Sequence, residues 1–310
     1  LGCPSDPADE STPTPTEPRW LDDVEQPLPA RLSEVGLFTQ IEARTPGLGL
    51  IVYEPRFPLF SNGLEKERLL FVPRGATIDA AATGWAFPEG TVLSKTFLFE
   101  GTPIETRLLF RRAATWEYAE YVWRDDGLEA DLLEGNWAEE PVLLPDGTSH
   151  VVPARLDCRT CHETSEEVSG TPVLGISALQ TSASLAASEV FATPPEIEPV
   201  AGRTAAETAA LEYFIGNCVT CHTGGDGTNA AFSLFPVDVV AETVGVPTEA
   251  ETAEGIRVVA GDPEASVLFI GVVLAPRPDY EGPFKVMPPL GLTRVDPAAE
   301  PILRAWIEEL

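Results

Sequence analysis

"LDCRTCHE", Leu156 to Glu163, and "GNCVTCHT", Gly216 to Thr223, carry one pattern, C-x-x-C-H. Together they hold four of the chain's five cysteines and two of its three histidines. Two thiols three positions apart can add to the two vinyl groups of a single haem, and the histidine that follows is placed to bind its iron. The pattern therefore predicts two covalently bound c-type haems, one at Cys158, Cys161 and His162, the other at Cys218, Cys221 and His222. A structural zinc needs four protein ligands, and one C-x-x-C-H supplies three. The two segments could pool ligands, but their spacing matches no zinc finger or ribbon. A thioredoxin-like C-x-x-C expects a βαβ setting, which the surrounding sequence lacks.

The rest of the chain is compatible with that chemistry. Its 310 residues allow two domains and a tail, and a hydrophobic content of 44% is enough for real cores. The net charge of −29 argues against nucleic acid and anionic membrane surfaces, and for redox partner proteins with a cationic docking face. No stretch reaches the roughly 20 apolar residues of a membrane helix. Covalent haem attachment takes place outside the cytoplasm, so an exported protein is expected. Leu1-Gly2-Cys3 resembles the end of a bacterial lipoprotein signal, which implies a lipid anchor at Cys3, with a stray thiol as the alternative. The localisation that follows is periplasmic or outer-membrane-associated, with membrane contact only through Cys3. "PSDPADESTPTPTEP", Pro4 to Pro18, is rich in Pro, Ser, Thr and acid and reads as an extended tether. The linker is assigned to residues 1–29.

Residues 30–170 read as β-rich. "GLGLIVYEP", "RLLFVP", "GTVLSKTFLFE", "ETRLLFRR" and "WEYAEYVW" are short runs of β-branched, aromatic and aliphatic residues bounded by Gly and Pro. The last two are close enough to form a hairpin. "PVLLPDGTSHVVP" reads as a second hairpin turning at Asp146-Gly147. Residues 171–203 read as a connector with short helices and a Pro-rich end. In 204–310, "RTAAETAALEYFIGNCVTCH" predicts a helix with Thr204 as N-cap, running straight into the second motif. "DPAAEPILRAWIEEL" predicts another, with Asp296 as cap, Pro297 at its first position, and Ile302, Leu303, Trp306 and Leu310 as its apolar stripe.

Residues 204–310 resemble class I cytochrome c. The carrying features are a helix ending in Cys218-Val-Thr-Cys221-His222, the later segment "GPFKVMPPLG", and a final helix with Trp306. The resemblance implies that the two helices cross, with Gly216 allowing close approach near Tyr213. It also implies that Met287, the only methionine, binds the second iron opposite His222. A His/Met pair raises the reduction potential. The plain alternative for Met287 is core filler. "WAFPEGTVLSKTF", Trp85 to Phe97, resembles a strand of the small β-sheet cytochromes whose haem is cross-linked to a lysine and which oxidise hydroxylamine or bind nitric oxide. That implies Lys95 at the first haem, against a surface residue or an ion pair with Glu105. Along its length the chain resembles a family of bacterial dihaem c-type cytochromes. The carrying stretches are "YEPRFPLFSNGLEKERLLFVPRG", "WAFPEGTVLSKTF", "ETRLLFRR", "YVW", "PARLDCRTCH", "LGISALQ", "NCVTCH" and "MPPLG". This implies an architecture and a haem count and no substrate.

The fold class expected is α+β, an N-terminal antiparallel β domain carrying haem 1 followed by an all-α class I cytochrome c domain carrying haem 2. The function expected is electron transfer between redox partners. The alternative is a dihaem enzyme or sensor with an open first haem, for peroxide or nitrogen-oxide chemistry. The sixth ligand of the first iron is open. His150, the remaining histidine, is a tentative candidate beside Lys95, water or nothing; its other reading is a cap on the hairpin or a contact to a haem carboxylate. Glu89 and Glu105 are candidate acid/base groups. Lys66 and Arg68 are read as contacts to haem carboxylates or as a salt-bridged turn.

Overall fold

The computed structural model describes residues 19–81, 84–134, 141–153, 155–224, 232–249, 254–289, 292 and 294–310. Cys3 and the tether from Pro4 to Pro18 lie outside the described residues. One six-stranded antiparallel sheet organises the molecule: β3 (Leu50–Val52), β4 (Glu65–Phe71), β5 (Val92–Phe99), β6 (Thr102–Arg112), β7 (Thr115–Trp123) and β8 (Ala130–Leu132), in sequence order. Two small ribbons accompany it, β1 (Phe38–Gln40) with β2 (Thr45–Pro46), and β9 (Val142–Leu143) with β10 (Ser149–His150). Both expected hairpins form. β6 pairs with β7 from Arg112↔Thr115 to Glu105↔Val122, and β9 turns into β10 with Gly147 at φ +82°. β5 and β6 are joined by Glu100–Gly101, both at positive φ, the geometry of a tight two-residue turn.

Side chains alternate across the sheet, so its two faces differ. One face presents Leu69, Phe71, Val92, Leu108, Phe110, Ala119, Tyr121 and Trp123 to a core that also takes Trp20, Leu21, Val24, Leu32, Val35 and Leu37. Trp20 meets Phe110 edge-on at 5.1 Å. Three polar side chains on this face are linked: Thr96 and Thr106 hydroxyls lie 2.8 Å apart, and Trp123 Nε1 donates to Thr106 Oγ1 at 2.9 Å. The ordered core therefore begins at Trp20, inside the stretch assigned to the linker.

The opposite face has an apolar half and a charged half. Leu70, Leu93, Leu109 and Tyr118 pack with Tyr53, Ile78, Phe87, Val173, Ile176, Leu185, Val190 and Phe191. Residues 171–203, expected to be a connector, thus complete this core. They contain one short helix, α2 (Ala183–Ala186). The first motif lies on α1 (Arg155–Ser169), which sits against β7.

The all-α class I cytochrome c domain expected over 204–310 does not form, and the fold as a whole is mixed and strand-rich. Among the described residues of this region, helix is confined to α3 (Ala205–Asn217), α4 (Val239–Thr243), α5 (Val267–Phe269), a π-turn at Ile270–Leu274, and α6 (Ala299–Glu308). The rest is loop stitched by isolated bridges such as Val244↔Val258 and Ile256↔Ser266. Prolines are the physical reason: Pro236, Pro247, Pro263, Pro276, Pro278, Pro283, Pro288 and Pro289 each remove a backbone donor, so long helices cannot run between α3 and α6. The two end helices match expectation more closely. Thr204 Oγ1 caps α3 by accepting from Glu207 N at 3.1 Å. Asp296 caps the turn that leads into α6, accepting from Ala298 N at 2.9 Å. Leu303 and Trp306 are fully buried, with Phe214 meeting Trp306 edge-on at 5.3 Å.

Gly216 is used differently from expectation. A Cβ there would lie 3.0 Å from the Phe57 carbonyl oxygen, so the close approach is to the β3–β4 loop and not to α6. The same loop holds the end of α3 through Phe60 N, which donates to Asn217 Oδ1 at 2.8 Å. Gln180 Nε2 adds a bond to the Ile215 carbonyl at 3.0 Å. Arg294 pairs with Asp146 and donates to Thr148 Oγ1 at 2.8 Å, clipping the β9–β10 turn to the segment before α6.

Candidate functional site

Cys158 and Cys161 lie one turn apart on α1 and so share a face. The Cys158 thiol donates to Glu120 Oε1 at 2.8 Å, and burial and the Glu120 carboxylate both push its pKa well up. His162 stands against Tyr118, ring centroids 5.4 Å apart. Its Nδ1 lies 2.6 Å from the Pro172 carbonyl oxygen. A carbonyl only accepts, so Nδ1 carries the proton and Nε2 holds the free lone pair. Burial lowers the imidazole pKa to about 4, with Pro172 opposing, so the ring is neutral at physiological pH.

The second motif forms the turn that ends α3. Cys221 N and His222 N both donate to the Cys218 carbonyl, at 3.0 and 2.9 Å. The His222 ring lies 4.3 Å from that of Phe232, whose other contact is the Arg257 guanidinium at 4.2 Å. Burial, with Arg257 adding to it, lowers the His222 pKa to about 4. The Phe232 backbone opposes this shift, although the buried Nδ1 meets no acceptor at full hydrogen-bond geometry among the described residues.

Cys161 and Cys221 influence each other's ionisation, Cys161 being pushed up and Cys221 down. All four described cysteines are free. Pooled zinc ligation is not assembled: among the described residues, no three His, Cys, Asp or Glu side chains converge to hold a metal ion. The same residues fit covalent haem. Each segment offers two free thiols three positions apart and a neutral imidazole, and at His162 a carbonyl already orients the ring as ligating histidines require.

Met287 packs on the apolar cluster that includes Cys218, with its N–H donating to the Gly271 carbonyl at 2.9 Å. His150 is engaged elsewhere. Its Nε2 lies 3.0 Å from Glu105 Oε1, and its Nδ1 is buried without a partner among the described residues. Glu105, fully buried, also pairs with Arg107. Burial raises its pKa, but Arg107 and His150 outweigh that, and the carboxyl ends below its usual range. Glu89 is exposed on the turn before β5, away from this cluster.

Across the charged half of the sheet, Arg68, Lys95, Arg107 and Glu120 stand directly opposite one another on β4, β5, β6 and β7. Lys66 lies one row further along β4 and donates to the Leu59 carbonyl. Arg68 pairs with Glu54. Lys95 does not form the ion pair with Glu105 considered from sequence; it stands 5.2 Å above the Phe97 ring. Tyr118, Glu120 and Arg107 were missed in the sequence. A signal was available: Tyr118 and Glu120 alternate within "WEYAEYVW", which places an acid on a core-facing row. Pro172 and Phe232 carry no sequence signal, because their role is a backbone carbonyl or a packed ring brought in by the fold. No helix among the described residues is long and apolar enough to cross a membrane. Comparison with family models, curated proteins and solved structures gives no match.

Proposed function

We propose that this chain is an exported dihaem c-type cytochrome that passes electrons between two covalently attached haems and on to a redox partner. The observation that carries it is the twice-repeated C-x-x-C-H, with the His162 Nδ1 held 2.6 Å from the Pro172 carbonyl so that Nε2 is left for the iron. Bound there, haem supplies a one-electron iron couple at each segment. The chain's own groups do the rest. The four thiols form the attachment points. Pro172 orients His162 so that Nε2 is presented, and burial keeps both imidazoles neutral and able to ligate. Met287 would supply a thioether to the iron held by His222. The strongly acidic surface favours a partner with a cationic docking face.

A second reading, an enzyme or sensor with an open first haem, is favoured by one observation. His150 commits Nε2 to Glu105, so no histidine outside the two motifs presents a free Nε2. The test is intact mass of the mature protein, followed by visible and EPR spectra with and without carbon monoxide. Two covalent haems, both six-coordinate and blind to carbon monoxide, support the carrier. Two haems of which one binds carbon monoxide support the second reading. A chain with four free thiols and no haem mass would sink both.

A further inference from the structure

The chain carries 49 acidic residues against 20 lysines and arginines, and only three of those 20 are lysine: Lys66, Lys95 and Lys285. Two of the three stand on one small patch of sheet. Lys66 Nζ, Lys95 Nζ and the Arg107 guanidinium lie 6.0, 5.2 and 4.2 Å from the centroid of one ring, Phe97. Arg68 adjoins Lys95 on its other side. Like charges so gathered repel: burial and then the neighbouring arginines lower Lys95 to about 7, and burial with Arg68 lowers Lys66 to about 8.

Local carboxylates offset only part of this charge. Arg68 is paired with Glu54 and Arg107 with Glu105, Glu120 stands opposite Arg107, and Glu65 and Asp296 line the cavity beside Lys66 and Arg68. Lys95 has no ion-pair partner among the described residues, although it sits between two arginines. A half-buried ammonium in that position is costly unless an anion joins it. The patch also faces the right place. Arg107 stands opposite Glu120, which accepts from the Cys158 thiol at 2.8 Å, and Tyr118, two positions before Glu120 on β7, meets the His162 ring at 5.4 Å.

We propose that Lys66, Arg68, Lys95 and Arg107, gathered around Phe97, form an anion seat that receives the carboxylate groups of the haem attached at Cys158 and Cys161. This rests on the haem reading above. Its geometry explains why an acidic protein gathers cations beneath the first motif, and it gives Lys95 a role that needs no cross-link. Arg68 and Arg107 supply fixed forks, and Lys95 supplies a compact charge between them.

The test uses the mature, haem-loaded chain and the variants Lys95→Gln and Lys95→Arg. Intact mass comes first: absence of haem overturns the haem reading and this proposal with it. With both haems present, each potential is measured by spectroelectrochemistry, and the haem carboxylate bending bands by resonance Raman. Losing a nearby positive charge favours ferric iron. Lys95→Gln is expected to shift the ferric/ferrous equilibrium of one haem about tenfold towards ferric, about 59 mV downward for a one-electron couple, with a moved carboxylate band. Lys95→Arg is expected to retain most of the potential, and the other haem not to respond. Unchanged potentials and bands in a Lys95→Gln protein carrying two haems would overturn the seat while leaving the haem reading standing. A saturable potential shift on adding nitrite or phosphate to the unsubstituted protein, lost in Lys95→Gln, would also overturn it, because the occupant would then be a free oxyanion.

Discussion

Glu105→Gln offers the sharpest test of the buried charge network beside the first motif. The substitution keeps shape and an acceptor oxygen but removes the charge. The Glu105 side chain is 0% exposed, its partner Arg107 26% and His150 6%. Removing one member of a buried pair costs about 3–5 kcal/mol, because the other charge is stranded. Arg107 still reaches water with a quarter of its side chain, so the lower end applies, about 3 kcal/mol. Urea unfolding followed by circular dichroism reads this directly. With an m-value of about 3 kcal/mol/M, the midpoint falls by about 1 M. Arg107→Met in both backgrounds closes a cycle whose coupling is expected at about 2 kcal/mol. The pH dependence has a definite sign. Glu105 titrates lower in the folded chain than in the unfolded one, so its contribution is complete above about pH 4.3 and is lost as pH falls through the folded value. The deficit of Glu105→Gln therefore shrinks in acid. A loss below about 1 kcal/mol with no coupling would mean that Glu105 is hydrated, and the reasoning from burial would be wrong.

His150→Ala strands one Glu105 acceptor and is expected to cost about 1–3 kcal/mol in urea while leaving every haem spectrum unchanged; loss of a low-spin signal would restore His150 as an axial ligand. Gly216→Ala would gain about 1 kcal/mol in an ordinary helix interior. Here the new Cβ meets the Phe57 carbonyl, so a loss of about 1–3 kcal/mol is expected, and a gain would deny the close approach. Trp306→Ala removes a buried ring packed on Phe214 and is expected to cost about 3–5 kcal/mol by the same unfolding assay. Met287→Leu preserves volume, so a lowered potential or a high-spin signal at one haem identifies a ligand, and unchanged spectra identify core filler.

The hairpins were legible because alternation of apolar residues and an Asp-Gly turn are local signals. Thr204 is legible for the same reason, because a cap is a contact with residues two or three positions away; Asp296, expected to cap the last helix, instead holds the turn before it, and Ala298 takes the cap position. The C-terminal unit was misjudged. Two genuine helices at its ends suggest a helical middle, but the prolines between them remove the backbone donors that long helices need. Gly216 was recognised as a close-approach glycine, but the approaching backbone comes from Phe57, about 160 positions earlier, and no local pattern names it. The same limit hid the row from Arg68 to Glu120. Each residue is visible on its own strand, but their alignment depends on four strands sharing a register.

That shared register ties the cations to the core behind them. Neighbours in sequence point to opposite faces, so Arg107 and Leu108 are front and back of a single choice. An extra residue in the Glu100–Gly101 turn would move β6 by one step, carrying Arg107 into the apolar layer around Trp20 and turning Leu108 towards the charged face. The charge pattern cannot drift by insertion or deletion unless the core fails with it. In mutational terms the positions of the patch are tied to the core, and a change in loop length shows first as a folding defect, before any change in what the patch binds.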